Sequence, residues 1–131
     1  MTETKNLIRF GKVSSVNPAK ATARVVFSDR DSLVSAELPV LQGVGLKNKS
    51  YLLPDVDENV ICLMFPNSDD GDGVILGSFF TDKVPPPAQN QDISMIKFAD
   101  GSTISYDRAG HELSINCVGT IKINGRRVEI N

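Results

Sequence analysis

The chain has 131 residues, of which 40% are hydrophobic and 23% charged, and its formal net charge is −2. That length suits one domain or a small domain with an appendage, and the composition excludes a disordered chain. The slightly acidic balance excludes a protein that relies on a broad cationic footprint to hold phosphate backbones.

The opening MTETKNLIRFGK has no apolar h-region, so no secretory leader is expected. The longest unbroken apolar run, 60–65, falls far short of the roughly 20 residues that cross a bilayer as a helix. Synthesis and folding in the cytoplasm follow as the expectation.

No stretch keeps an i, i+3, i+4, i+7 apolar pattern beyond two turns, whereas period-2 alternation is common. The first half predicts strands over 8–16, 22–27, 34–38, 60–65 and 74–79. Asn17-Pro18, SDRDS at 28–32 and PNSDDGDG at 66–73 supply turns between them. Five strands so connected predict a small closed sheet or barrel. Residues 43–57 read as a longer connection without a strand pattern. Cys62 and Cys117 both sit in strand-like surroundings and read as reduced, packed thiols.

VPPPAQNQD at 84–92 follows, a stiff polyproline spacer. Beyond it, apolar residues come in pairs with one polar residue between: Ile96/Phe98, Ile104/Tyr106, Leu113/Ile115, Ile121/Ile123 and Val128/Ile130. Asp100-Gly101, Gly110, Gly119 and Asn124-Gly125 mark the turns. Five short strands and no helix make a single layer with one apolar face, which is marginal in water. Hairpins at Asp-Gly and Asn-Gly would leave that face bare. It must fold onto the barrel or meet copies of itself, and self-association is the expectation.

The segments GKVSSVNP (11–18) and LLPDVDENVICLMFPNSDDGDGVILGSFFTDKVPPP (52–87) resemble the baseplate assembly protein V family, the VgrG-like central spikes of contractile tails. The second half, with KFADGSTISYD (97–107), LSIN and IKIN, resembles the same family's C-terminal β-helix. The resemblance implies an all-β fold: an N-terminal OB-fold barrel over 1–84, a proline-rich linker over 85–92, and a short triple-stranded intertwined β-helix over 93–131. It implies a homotrimer in which the ten paired residues above form the shared trimer core. Successive strands climbing by about 4.8 Å would give a shaft roughly 25 Å long. The implied function is mechanical: a spike at the tip of the tail tube of a phage or tail-like bacteriocin, attached to a hub or baseplate protein, that helps pierce the target envelope. The family's long members end in a His-x-His metal motif. Here the sole histidine is His111 and the chain stops at Ile130-Asn131, so a separate small capping protein of PAAR-like type is expected at the tip.

No catalytic constellation stands out. There is no G-x-S-x-G elbow, and His111 lies in the turn DRAGHE, so the chain is read as a non-enzyme with no cofactor. DDGDG at 69–73 lacks the ligand spacing of a calcium loop and reads as a hairpin turn without metal. Asp55, Asp57 and Glu58 read as a solvated strand approach, with Glu58 reaching toward a neighbouring chain or hub. The alternative function is an OB-fold module that binds single-stranded nucleic acid, which would need exposed aromatics over a basic groove. With six Phe, two Tyr and no Trp, and with Phe27, Phe65 and Phe79 at apolar strand positions expected in the core, no nucleic-acid partner is predicted.

Overall fold

The computed structural model describes residues 7–27, 33–66 and 71–131, and among these it contains β-strands and no helix. The predicted turn at 28–32 and the first two residues of the DDGDG turn lie outside the described residues. The chain divides into two compact units, one ending at Lys83 and the other spanning Val84–Asn131. Two antiparallel sheets, one in each unit, make the protein all-β.

The first unit comprises β1 (Ile8–Asn17), β2 (Thr22–Phe27), β3 (Leu33–Val34), β4 (Leu38–Pro39), β5 (Asn59–Met64) and β6 (Gly73–Ser78). β1 serves two neighbours, pairing through 8–12 with β5 and through 12–17 with β2. It bends between them at a β-bulge where Ser14 is the extra residue. Gly11 stands at the bend because a Cβ there would lie 2.5 Å from Val25 Cγ1 and 2.6 Å from the Val26 carbonyl oxygen. β5 pairs with β6, and a parallel bridge joins Val40 to Ile75. Leu41 N–H donates to the Ile75 carbonyl at 3.0 Å. β4 pairs in turn with β2, so the pairings run in a closed ring: β1, β2, β4 with Val40, β6, β5 and back to β1.

Alternate residues of these strands point into the ring. Val13, Ala23, Val25, Phe27, Leu38, Val60, Cys62, Met64 and Ile75 form one buried cluster. Full burial of each large member stabilises the fold by about 1.5–3 kcal/mol, before conformational entropy is set against it. The guanidinium of Arg9 stacks over the Phe27 ring at 3.9 Å, its stem lying along the cluster's edge.

The predicted strand 34–38 is in fact broken into β3 and β4. Ser35 breaks it. Its buried hydroxyl takes the Val25 N–H at 3.0 Å and donates to the Ala36 carbonyl at 2.7 Å. Its own carbonyl turns aside to accept Arg24 Nη1 at 3.2 Å. A side-chain oxygen has replaced a ladder carbonyl, so the regular pairing stops there. The 43–57 connection also carries structure the alternation did not reveal: an antiparallel bridge between Gly45 and Lys49.

The second unit holds β7 (Ile93–Lys97), β8 (Thr103–Asp107) and β9 (Glu112–Asn116), in that spatial order. The chain enters through a turn in which Asn90 Oδ1 accepts Asp92 N–H at 2.9 Å, and Arg108 clamps Asp92 through Nε at 2.6 Å. The β7–β8 connection is longer than the two-residue hairpin that Asp100-Gly101 suggests. Lys97 pairs with Thr103, leaving Phe98 to Ser102 as the loop, with Gly101 at φ 96°. Asp100 Oδ1 accepts Ser102 N–H at 2.9 Å and fixes this loop. In the β8–β9 turn Asp107 Oδ1 caps Ala109 N–H at 2.9 Å, and His111 takes the left-handed φ of 57° that closes it. Two of the five predicted strands are absent from the single chain. Among the described residues the segments around Ile121/Ile123 and Val128/Ile130 have no ladder partner, because β9 ends at Asn116 and no further strand follows.

Candidate functional site

Register places the paired apolar residues of the second unit on one face. Ile96 lies opposite Ile104, and Ile104 opposite Ile115, giving one row across the sheet. Ser94, Tyr106 and Leu113 form the next row on the same side. Side chains in directly opposite positions share a face, so five of the ten expected core residues are brought together by backbone pairing alone. The other face is mostly polar: Met95 opposes Ser105 and Ser105 opposes Ser114, with Lys97, Thr103 and Asn116 in one row beside them and Ile93, Asp107 and Glu112 in the other.

Within one chain the apolar face is the uncovered one. All ten residues are exposed, from 41% at Ile104 to 91% at Ile130. Phe98 is not on β7 but just past its end, its N–H donating to the Ser102 carbonyl at 2.9 Å. From there it lines an open groove of ≈540 Å³ together with Ile104, Ile115, Cys117 and Ile121. That groove draws Ile121 toward the sheet's apolar rows. Ile123, Val128 and Ile130 stand free of the described strands.

No group of three or more His, Cys, Asp or Glu side chains converges on a metal position among the described residues. Glu58, expected to reach toward a neighbouring chain or hub, is engaged within its own chain. It folds back on its own chain, accepting Asp55 N–H at 3.0 Å and the Ser78 hydroxyl. Asp57 beside it adopts φ 74° and donates its N–H to the Val13 carbonyl at 2.8 Å. This acidic approach is a turn that ties β5 to β1.

Glu37 is a carboxylate held by side chains of its own unit. It accepts Asn17 Nδ2 at 2.8 Å and Thr22 Oγ1 at 3.2 Å, with Lys20 Nζ 3.9 Å away. The hydrogen bond from Asn17, then that from Thr22, holds its carboxyl below the ordinary carboxylate value. A depressed folded-state value means that its stabilisation is present above the unfolded carboxylate pKa and fades as pH falls through the folded one. Glu37→Gln is therefore expected to lower stability at neutral pH and to flatten the acid side of the profile, the two proteins converging at low pH. Thermal melts of both proteins from neutral into acid check this, and parallel profiles would contradict it.

The two thiols differ, against the expectation that both are packed. Cys62 is fully buried, and that burial pushes its thiol up to about 11, with nearby Arg9 opposing the shift; Cys117 is exposed. The thiolate is the reactive form, so Cys62 is protected twice, by access and by pKa. In a Cys117→Ser protein, a thiol reagent is expected to titrate nothing until denaturant is added. Immediate reaction would contradict the buried placement.

The aromatic residues hold a further correction. Phe27 is buried as expected, but Phe65 (51%) and Phe79 (37%) are exposed. Phe79 stacks edge-on against Phe10, with ring centroids 5.4 Å apart. The residues Ile8 and Phe10 share one parity of β1 while Val13 has the other, so both faces of that strand are apolar. That double parity is the signal in the sequence that could have found the exposed wall.

No protein-family model matches this chain, and no curated protein matches it either.

Proposed function

We propose that the chain is the structural central spike of a contractile injection particle, a phage tail or tail-like bacteriocin. Three copies stand at the tip of the tail tube, attach to a hub or baseplate protein and help pierce the target envelope. The carrying observation is the second unit's apolar face, with Ile96, Ile104 and Ile115 in register across the sheet, Tyr106 and Leu113 in the next row, and all five exposed in one chain. Exposed contiguous apolar surface of this extent marks an interface. Three chains winding their short strands around a common axis would cover it. They would also give the unpaired segments around Ile121/Ile123 and Val128/Ile130 strand partners in neighbouring copies, as an intertwined β-helix does.

The first unit supports the same reading. A closed ring of five strand positions, with a first strand shared between two neighbours and a parallel closure, is consistent with the OB-fold barrel of this reading. The order of segments resembling baseplate assembly protein V, with the proline run between the two units, adds to it. A small capping protein at the shaft's distal end belongs to the same proposal. Stiffness, not catalysis, is what such a chain supplies.

One observation favours a second reading, an OB-fold nucleic-acid module: the exposed Phe10–Phe79 pair could stack bases. It lacks the cationic groove that would track a backbone, since Lys12 is the basic residue on that face of β1 and the whole chain is net negative. Immunogold microscopy of particles from a producing strain tests the spike reading. Label at the distal end of sheathed tails is the expected result, and sheathed particles without label would overturn it. A low-salt gel shift with single-stranded oligonucleotide should show no complex.

A further inference from the structure

The first unit bears two apolar surfaces that its own chain leaves bare. One is the outer wall of β1, β5 and β6. Register sets Ile8 beside Leu63 and Leu63 beside Val74, with Phe10 beside Ile61 and the Phe79 ring against Phe10. Ile8 and Phe10 are 56% and 58% exposed. The other surface is an arm, residues 41–54, between β4 and β5.

The arm is a built element. The bridge between Gly45 and Lys49 folds it back on itself, and Ser50 N–H donates to the Val44 carbonyl at 3.1 Å. Gln42 Oε1 accepts Leu52 N–H at 3.2 Å and the Ser50 hydroxyl at 3.1 Å, and Tyr51 Oη donates to the Pro18 carbonyl at 2.8 Å. These bonds fix the backbone, yet the side chains it presents are apolar. Leu46 at the tip is 80% exposed, and Leu41, Val44, Tyr51 and Leu52 are each more than half exposed. Lys47 and Lys49 flank the tip, and residues 38–54 include no acid. On the wall, Lys12 shares the face of Ile8 and Phe10.

We propose that the arm of one copy lies on the β1–β5–β6 wall of the next copy, three such contacts closing a ring. The proposal rests on the three-chain reading above and adds to it an interface in the first unit. Two unlike surfaces make a head-to-tail contact, and a closed threefold ring uses every arm and every wall. A half-exposed large side chain offers about 100 Å², so each surface presents about 500 Å² and each contact removes about 1,000 Å² from water. That meets the size a specific interface needs.

Cross-linking of the full chain tests this. In a Cys117→Ser background, Lys47→Cys on the arm and Lys12→Cys on the wall are made singly and together, then treated with a short bismaleimide. Denaturing gels read the products, and light scattering on the untreated protein reads its mass. The double variant is expected to give covalent dimers and trimers, and each single variant to remain a single chain. A three-chain mass without cross-links in the double variant overturns the arm-on-wall contact and leaves the spike reading standing. A one-chain mass without cross-links overturns both. Dimers from either single variant show like surfaces meeting and overturn the head-to-tail contact.

Discussion

Ile115→Asp is expected to leave a folded chain that no longer assembles, with the same result for Ile123→Asp. Ile115 is 54% exposed in a single chain, so a carboxylate there costs the isolated molecule little. In the three-chain assembly it would stand in the row with Ile96 and Ile104, brought out of water and facing its two copies. Desolvation and like-charge repulsion act together there, and burying each unpaired charge costs several kcal/mol. Lys122→Asp, between Ile121 and Ile123 and of opposite parity, should be tolerated. Size-exclusion profiles and circular dichroism of the three variants read the outcome. Equal tolerance of all three would remove the inward assignment.

Phe27→Ala should be the most damaging single change in the first unit. Its ring is 1% exposed at the centre of the buried cluster and carries the Arg9 guanidinium on one face. Removing a ring so enclosed leaves a cavity that the surrounding strands cannot close, at about 3–5 kcal/mol. That is a large share of the 5–15 kcal/mol typical of a domain. Urea denaturation followed by far-ultraviolet circular dichroism should show an early transition for the first unit, with association through the second unit retained. A loss below about 1 kcal/mol would mean that the cluster is not the core described.

Much of the strand pattern was readable because one face of each strand is apolar and the other is not. β2, β5 and β6 fall within a residue of their predicted bounds, and β1 extends one residue further. The third strand was misread because alternation cannot foresee that the Ser35 hydroxyl displaces a ladder carbonyl. In the second unit the paired pattern marked β7, β8 and β9 and the face they share, since opposite residues in register keep parity. It could not say which strands close within one chain, because burial across an assembly leaves the same periodicity as burial within a chain. The arm stayed hidden for a different reason. Its fold is held by Gln42, Ser50 and backbone groups, none of which leaves a periodic trace. The intrachain bonds of Glu58 were not readable, because a carboxylate near a strand start looks the same in sequence whether it turns to solvent or back to Ser78.

Light scattering coupled to size exclusion, on the unmodified protein at micromolar concentration, addresses the three-chain spike most directly. The account predicts a single species with the mass of three chains, each of 14.2 kDa. A species with the mass of one chain would contradict it.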